Sequence, residues 1–206
     1  MNTVELLSTH GGDLDHALSA WTSTHRELTP EKLERIPAML KKLAEDGHHS
    51  PFEKSMLHFL VTCDTASHIH ILKHRIGVSV NAESARYKEL KEDRFHIPTD
   101  WPEHLQKDAE MLFGVVYKGY HRLVDELTPV LGRKRAKESA RFVLPYANQL
   151  TLDVSFNFRS FMHFQGLRNS EHAQREIKDI AREMLRLVQE TGQFTHSLTG
   201  FGYEGF

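Results

Sequence analysis

"QLTLDVSFNFRS", residues 149–160, decides how the rest of the chain is read. Leu150, Leu152, Val154, Phe156 and Phe158 alternate with Thr151, Asp153, Ser155, Asn157 and Arg159. A period of two puts the apolar set on one face of a strand and the polar set on the other. The flanking segments have a helical period instead. "RKRAKESARFVLP" predicts a helix stopped by Pro145, and "SFMHFQGLR" predicts a helix directly after the strand.

Further out, helices dominate. Residues 101–128 predict a long helix ending before Pro129. "TPEKLERIPAMLKKLAEDG" predicts a helix capped by Thr29, opened by Pro30, kinked at Pro37 and closed by Gly47. "FEKSMLHFLVTCD" predicts a second strand. "TASHIHILKHR" predicts a helix with His70 and His74 on one face beside Lys73. Asn169 or Ser170 is the expected cap of a last long helix through "EHAQREIKDIAREMLRLVQET". Helices with a few strands, not regularly alternating, define an α+β class. No internal repeat or linker interrupts the chain, so one domain over residues 1–206 is expected.

Of the 206 residues, 39% are apolar and 26% charged, a globular balance, and the net charge of −2 argues against binding nucleic acid or an anionic membrane over the whole surface. The N-terminus lacks the pattern of a signal peptide, and no apolar run approaches a membrane span. Cys63 is the one cysteine, which excludes a disulfide framework and fits a cytoplasmic protein. Its apolar surroundings favour a buried structural thiol over a nucleophile. His68, His70 and His74 have metal-like spacings but no accompanying HExxH or cysteine pair, so no metal site is assigned.

Three stretches carry candidate chemistry. In "KHRIGVSVNAESARY", residues 73–87, Lys73, Arg75 and Arg86 with the Ser84 hydroxyl suit a phosphate; the alternative is a solvated turn. In "GHHSPFE", residues 47–53, His48, Ser50 and Glu53 surround Pro51; Gly47 and Pro51 alone would explain it as a helix stop and turn. In "FNFRSFMHFQGLRNSEHAQ", Asn157, Arg159, His163 and Arg168 are threaded through Phe156, Phe158, Phe161 and Phe164. Those rings either rim a site for a planar ligand or form an aromatic core.

Taken together these stretches resemble the flavin-dependent thymidylate synthases, the ThyX family. That family's RHRxxSxNxxSxRY signature is met by Lys73-His74-Arg75, Ser79, Asn81, Ser84 and Arg86-Tyr87. "GHHSPFE", "ARFVLP", "NFRSFMHFQGLR" and "HAQREI" are similar to further family blocks in the family's order, over residues 47 to about 177. The resemblance implies long helices packed on a small, mostly antiparallel sheet. It implies conversion of dUMP to dTMP, with methylenetetrahydrofolate as one-carbon donor, FAD as hydride carrier and NADPH as its reductant. It also implies a homotetramer with active sites at subunit interfaces.

Roles follow for the matching positions. Ser50, Lys73, His74, Arg75, Asn81, Glu83, Asn157, Arg159 and His163 are expected at the FAD, with Glu53 supporting the Ser50 loop. His70, Lys73, Glu83, Ser84, Arg86, Arg141 and Arg168 are expected at dUMP. Arg168, matching the arginine at the uracil ring, is the expected catalytic residue: a fixed cation there stabilises an anionic ring. Four departures stand out. "IGV" puts three residues between Arg75 and Ser79 where the family has two, which blurs the assignment of Asn81 and Glu83. Lys73 replaces an arginine, His70 a glutamine and His163 an asparagine. They leave room for a dUMP hydroxymethylase on the same scaffold, and a non-catalytic nucleotide- or RNA-binding module is the rival of another class.

Overall fold

The computed structural model describes residues 1–84, 89–90 and 92–203. Its elements run β1 (Thr3–His10), α1 (Asp13–Trp21), α2 (Pro30–Glu45), β2 (Met56–Asp64), α3 (Thr65–Leu72), β3 (Val78–Ala82), α4 (Glu103–Leu131), α5 (Arg133–Ala140), β4 (Gln149–Asn157), α6 (Phe158–Arg168), α7 (Arg175–Glu190) and α8 (Thr195–Gly200). Short 3₁₀ turns occupy Ser50–Glu53 and Arg141–Val143. The strands form one antiparallel sheet in the order β1-β2-β4-β3. The α+β class is as expected. No helix among the described residues is long and apolar enough to cross a membrane.

Contacts divide the chain into two compact units. The first comprises Met1–Thr3, Val61–Lys73 and Asn81–Leu152. Its core gathers Leu90, Tyr120, Val124 and Ala140, with Leu123, Leu144 and Leu150 against them. Asp64 caps α3 by accepting from Ser67 N at 2.9 Å. Asn148 is buried, and its side-chain oxygen lies 2.8 Å from the Tyr117 hydroxyl. Cys63 is fully buried, and burial pushes its thiol up, away from the reactive thiolate.

The second unit comprises Val4–Leu60, His74–Val80 and Asp153–Phe206. Its core is aromatic. Phe52, Phe59, Phe156, Phe158, Phe161, Phe164 and Phe194 are all fully buried. Phe158 stacks on Phe194 at 5.2 Å, and Phe59 on Phe161 at 5.7 Å. Phe156, Phe158, Phe161 and Phe164 therefore form a core and do not rim a ligand. His16 lies inside this core, between Phe52 and Phe158, with its nitrogens 2.8 Å from Ser197 Oγ and 2.7 Å from Ser55 Oγ.

Several expected boundaries are corrected. Residues 50–53 form a 3₁₀ turn, so the strand begins only at Met56. α3 stops at Leu72, so His70 and His74 do not share its face. α4 continues through Pro129 and stops at Gly132, whose φ of 77° suits glycine. Pro129 has no amide proton to donate to Asp125 O, and in the same turn Thr128 Oγ1 adds a bond to Val124 O at 2.6 Å. Phe158 opens α6 because Asn157 caps that helix, accepting from Ser160 N at 2.8 Å. Asn169 and Ser170 turn back onto Gln165 and Leu167 at the end of α6, so α7 starts at Arg175.

Burial pushes the His16 pKa down to about 4, against an ordinary value of 6.5. The unfolded chain thus takes up this proton first as the pH falls. The contribution is fully present above pH 6.5 and is lost toward pH 4, a loss on the order of 3 kcal/mol. Urea unfolding across that window should show wild type losing stability more steeply than His16→Phe. Parallel curves would contradict the assignment.

Candidate functional site

Each unit holds a cavity large enough for a small-molecule ligand. The cavity of the second unit measures about 470 Å³ and is lined by His49, Glu53, Ile76, Arg159, Ser160, Met162, His163 and Phe201. Arg159 and His163 reach it from one face of α6, as their i, i+4 spacing predicts. Arg159 Nη1 donates to Glu53 Oε1 at 2.5 Å. Both side chains are part-exposed, so this pair adds little stability. Its effect is to hold a guanidinium at the cavity wall.

Ile76 reaches the same cavity because Gly77 turns the chain at φ 64°. Asn157 N donates to Gly77 O at 2.9 Å. A Cβ on Gly77 would stand 2.2 Å from Asn157 Nδ2 and 2.4 Å from Ser160 Oγ. Of the "IGV" stretch, Ile76 thus forms part of the wall of this cavity. Arg168 Nε donates to His74 Nε2 at 3.0 Å. A guanidinium has only donors, so this His74 nitrogen is bare and the ring proton sits on Nδ1. The His74 ring packs edge-on against Phe164 at 5.0 Å and lies 5.8 Å from His163. Partial burial lowers the Arg168 pKa, yet an arginine stays charged.

The cavity of the first unit measures about 570 Å³. Its polar wall is Thr65, Glu83, Ser84, Arg141 and Asn148; Ile69, Phe142, Leu144 and Tyr146 supply apolar surface. Glu83 is fixed at both ends. Its amide donates to Thr151 O at 2.8 Å, and its carboxylate accepts from Arg94 Nη2 at 2.7 Å and Thr151 N at 3.2 Å. Arg94 pairs with this carboxylate, which offsets its charge beside Ser84 and Arg141.

The expected residues sort as follows. Arg159 and His163 share the cavity of the second unit, and Ser84, Glu83 and Arg141 share that of the first. Glu83, expected at both ligands, thus lines the cavity that holds Ser84. Ser50 begins the turn carrying Glu53, and Asn157 caps α6. His70, Lys73, Asn81, Arg75, His74 and Arg168 line neither of these cavities. Arg86 lies outside the described residues. The sequence reading missed His49, Ile76, Met162 and Phe201 in one cavity, and Thr65, Ile69, Phe142, Tyr146 and Asn148 in the other. Exposed aromatics at Phe142 and Tyr146, flanking "VLP", were a signal it did not use.

Residues 5–191 match the family model of Thy1, the thymidylate synthase complementing protein. The flavin-dependent thymidylate synthase of Pseudothermotoga lettingae is 30% identical over 98% of this chain and 92% of its own length. That of Geobacter sulfurreducens is 35% identical over 75% of this chain and 65% of its own. A solved structure of the UMP/dUMP methylase PolB from Streptomyces cacaoi, bound with 5-Br dUMP, has a TM-score of 0.84 at 27% identity. It covers 100% of this chain and 96% of that one. PolB bound with 5-Br UMP gives 0.76 at 26% identity, over 100% of this chain and 97% of that one.

Gly77→Ala should cost roughly 2–4 kcal/mol, from left-handed strain and the clash with Asn157 combined. Gly47→Ala has open space at its Cβ and should cost only the backbone strain, about 1 kcal/mol. Equal unfolding midpoints for the two variants would contradict the packing described for Gly77.

Proposed function

The chain belongs to the flavin-dependent thymidylate synthase family, and we propose that it methylates dUMP at C5 to give dTMP. Methylenetetrahydrofolate supplies the carbon, FAD in its reduced form supplies the hydride, and NADPH restores the flavin. One observation carries the reading: motif residues up to about a hundred positions apart line two ligand-sized cavities. Glu53, Arg159 and His163 line one; Ser84 and Arg141 line the other.

The first of these cavities has a lining that suits part of FAD, which carries aromatic rings at both ends and an anionic diphosphate between them. Ile76, Met162 and Phe201 give it apolar wall, and Arg159, Ser160 and His163 give it donors. When bound, the flavin supplies the hydride that turns the transferred one-carbon unit into a methyl group. The chain's own residues bind and polarise. Arg141 and Ser84 hold the nucleotide, Arg141 as a fixed cation for its phosphate. Arg168, which lines neither cavity, is assigned to the uracil by its match to the family motif; there it would stabilise negative charge that develops on the ring as C5 attacks and then loses its proton. Neutral His74, accepting from Arg168 Nε, fixes the direction of that guanidinium. Cys63 takes no part, since it is buried with its thiol protonated.

The enzyme is proposed to be cytoplasmic and homotetrameric, with active sites at subunit interfaces. Exposed Met111, Leu112 and Val115 on α4 support an assembly, being 60–67% exposed on one chain. UMP is a second substrate to consider, because PolB is described as a methylase of both nucleotides.

The test is mass analysis of product from dUMP, and separately UMP, with methylenetetrahydrofolate, FAD and NADPH. The reading expects a methyl gain on dUMP. A hydroxymethyl gain would identify a hydroxymethylase, and no conversion in a flavin-free protein a binding module; either outcome overturns the reading. Arg168→Ala should cut turnover by about 10²–10³-fold with FAD still bound. Cys63→Ala should retain turnover. Near-wild-type turnover in the first, or its loss in a folded second, would contradict these roles.

A further inference from the structure

His16 lines neither cavity, yet both of its ring nitrogens are bonded. The proton positions along this chain of groups follow from chemistry. The Asp13 carboxylate only accepts, and Ser197 Oγ lies 2.6 Å from it. The single Ser197 hydroxyl proton is therefore committed to Asp13. Ser197 Oγ must then accept from His16 Nδ1–H, at 2.8 Å. That leaves Nε2 of the neutral ring as an acceptor, filled by the Ser55 hydroxyl at 2.7 Å. Asp13 is itself fixed by the amides of His196 and Ser197, each at 2.8 Å.

Ser55 stands two residues after Glu53. The intervening turn is stiff: Phe52 N donates to His49 O at 3.0 Å, and Lys54 N to Pro51 O at 3.4 Å. The His16 ring also packs on Phe52 at 5.2 Å. Holding Ser55 and Phe52 thus sets where His49 and Glu53 meet the cavity, and Glu53 in turn holds Arg159.

We infer that His16 is a positioning residue for the flavin side of the site, acting through Ser55 on the turn that carries His49 and Glu53. This rests on the proposal that the cavity of the second unit takes FAD. A Ser–His–Ser–Asp series also resembles a hydrolytic relay. Ser55 is only 3% exposed and His16 fully buried, so no substrate reaches the hydroxyl, and the series works as a tether.

The test uses the full chain. His16→Phe keeps the ring against Phe52 and Phe158 but removes both nitrogens; Ser55→Ala removes only the hydroxyl. FAD affinity is read by flavin fluorescence, dUMP affinity by calorimetry, and amide exchange of residues 49–54 without added flavin. Each single variant should weaken FAD about tenfold, because each breaks the one bond, His16 to Ser55, that reaches the turn. The double variant should be no weaker than His16→Phe, because one bond is shared. The dUMP affinity should stay within about twofold, and exchange of 49–54 should quicken. A purely structural role would lower both affinities together. Should His16→Phe fail to fold, Ser55→Ala decides. Ser55→Ala with wild-type FAD affinity and wild-type exchange overturns the inference. Wild-type protein that takes up no flavin, with exchange still quickened in Ser55→Ala, overturns the FAD proposal and leaves the tether standing.

Discussion

The site of the second unit depends on Asn157. Its side chain ends β4 by capping α6, and its amide holds the carbonyl of Gly77. The first contact fixes where the face of α6 bearing Arg159 and His163 begins. The second brings Ile76 to the same cavity, through a turn only glycine makes without strain. Asn157 was expected as a flavin contact. In the fold its side-chain oxygen also caps α6, which gives it a positional role.

Charge is managed differently in the two units. In the second, Arg159 leans on part-exposed Glu53, a weak pair that is easily exchanged for a ligand's anionic group. In the first, Glu83 is clamped by Arg94 and the backbone of Thr151 before the chain reaches Ser84. With that carboxylate paired, the proposed phosphate site at Ser84 and Arg141 would meet its ligand without net repulsion. In the second unit Arg159 and His163 sit on α6, a regular element, which keeps the ordering cost of binding there low.

Much of this was legible from residues alone. The alternation in 149–157 gave the strand, and the i, i+4 pair Arg159 and His163 gave a shared helix face. Spacing failed where a side chain overrode it. Asn157 cut the strand short of Phe158, and α3 ended before His74, so two histidines expected together lie on different segments. The phenylalanines of α6 looked equally like a ligand rim or a core, and only long-range partners such as Phe59 and Phe194 decided for the core. The tether from Asp13 to Ser55 spans residues 13, 16, 55 and 197, and no local pattern announces it.

The central claim is that the two cavities take different ligands: flavin at Arg159, nucleotide at Arg141. Crossed titrations test it most directly, with FAD and dUMP each measured on Arg159→Ala and Arg141→Ala. Losing a charged hydrogen-bond donor should weaken the matching ligand by about 10–100-fold. The account predicts that loss for FAD only in Arg159→Ala and for dUMP only in Arg141→Ala. The reverse pattern, or equal losses of both ligands in both variants, would contradict it.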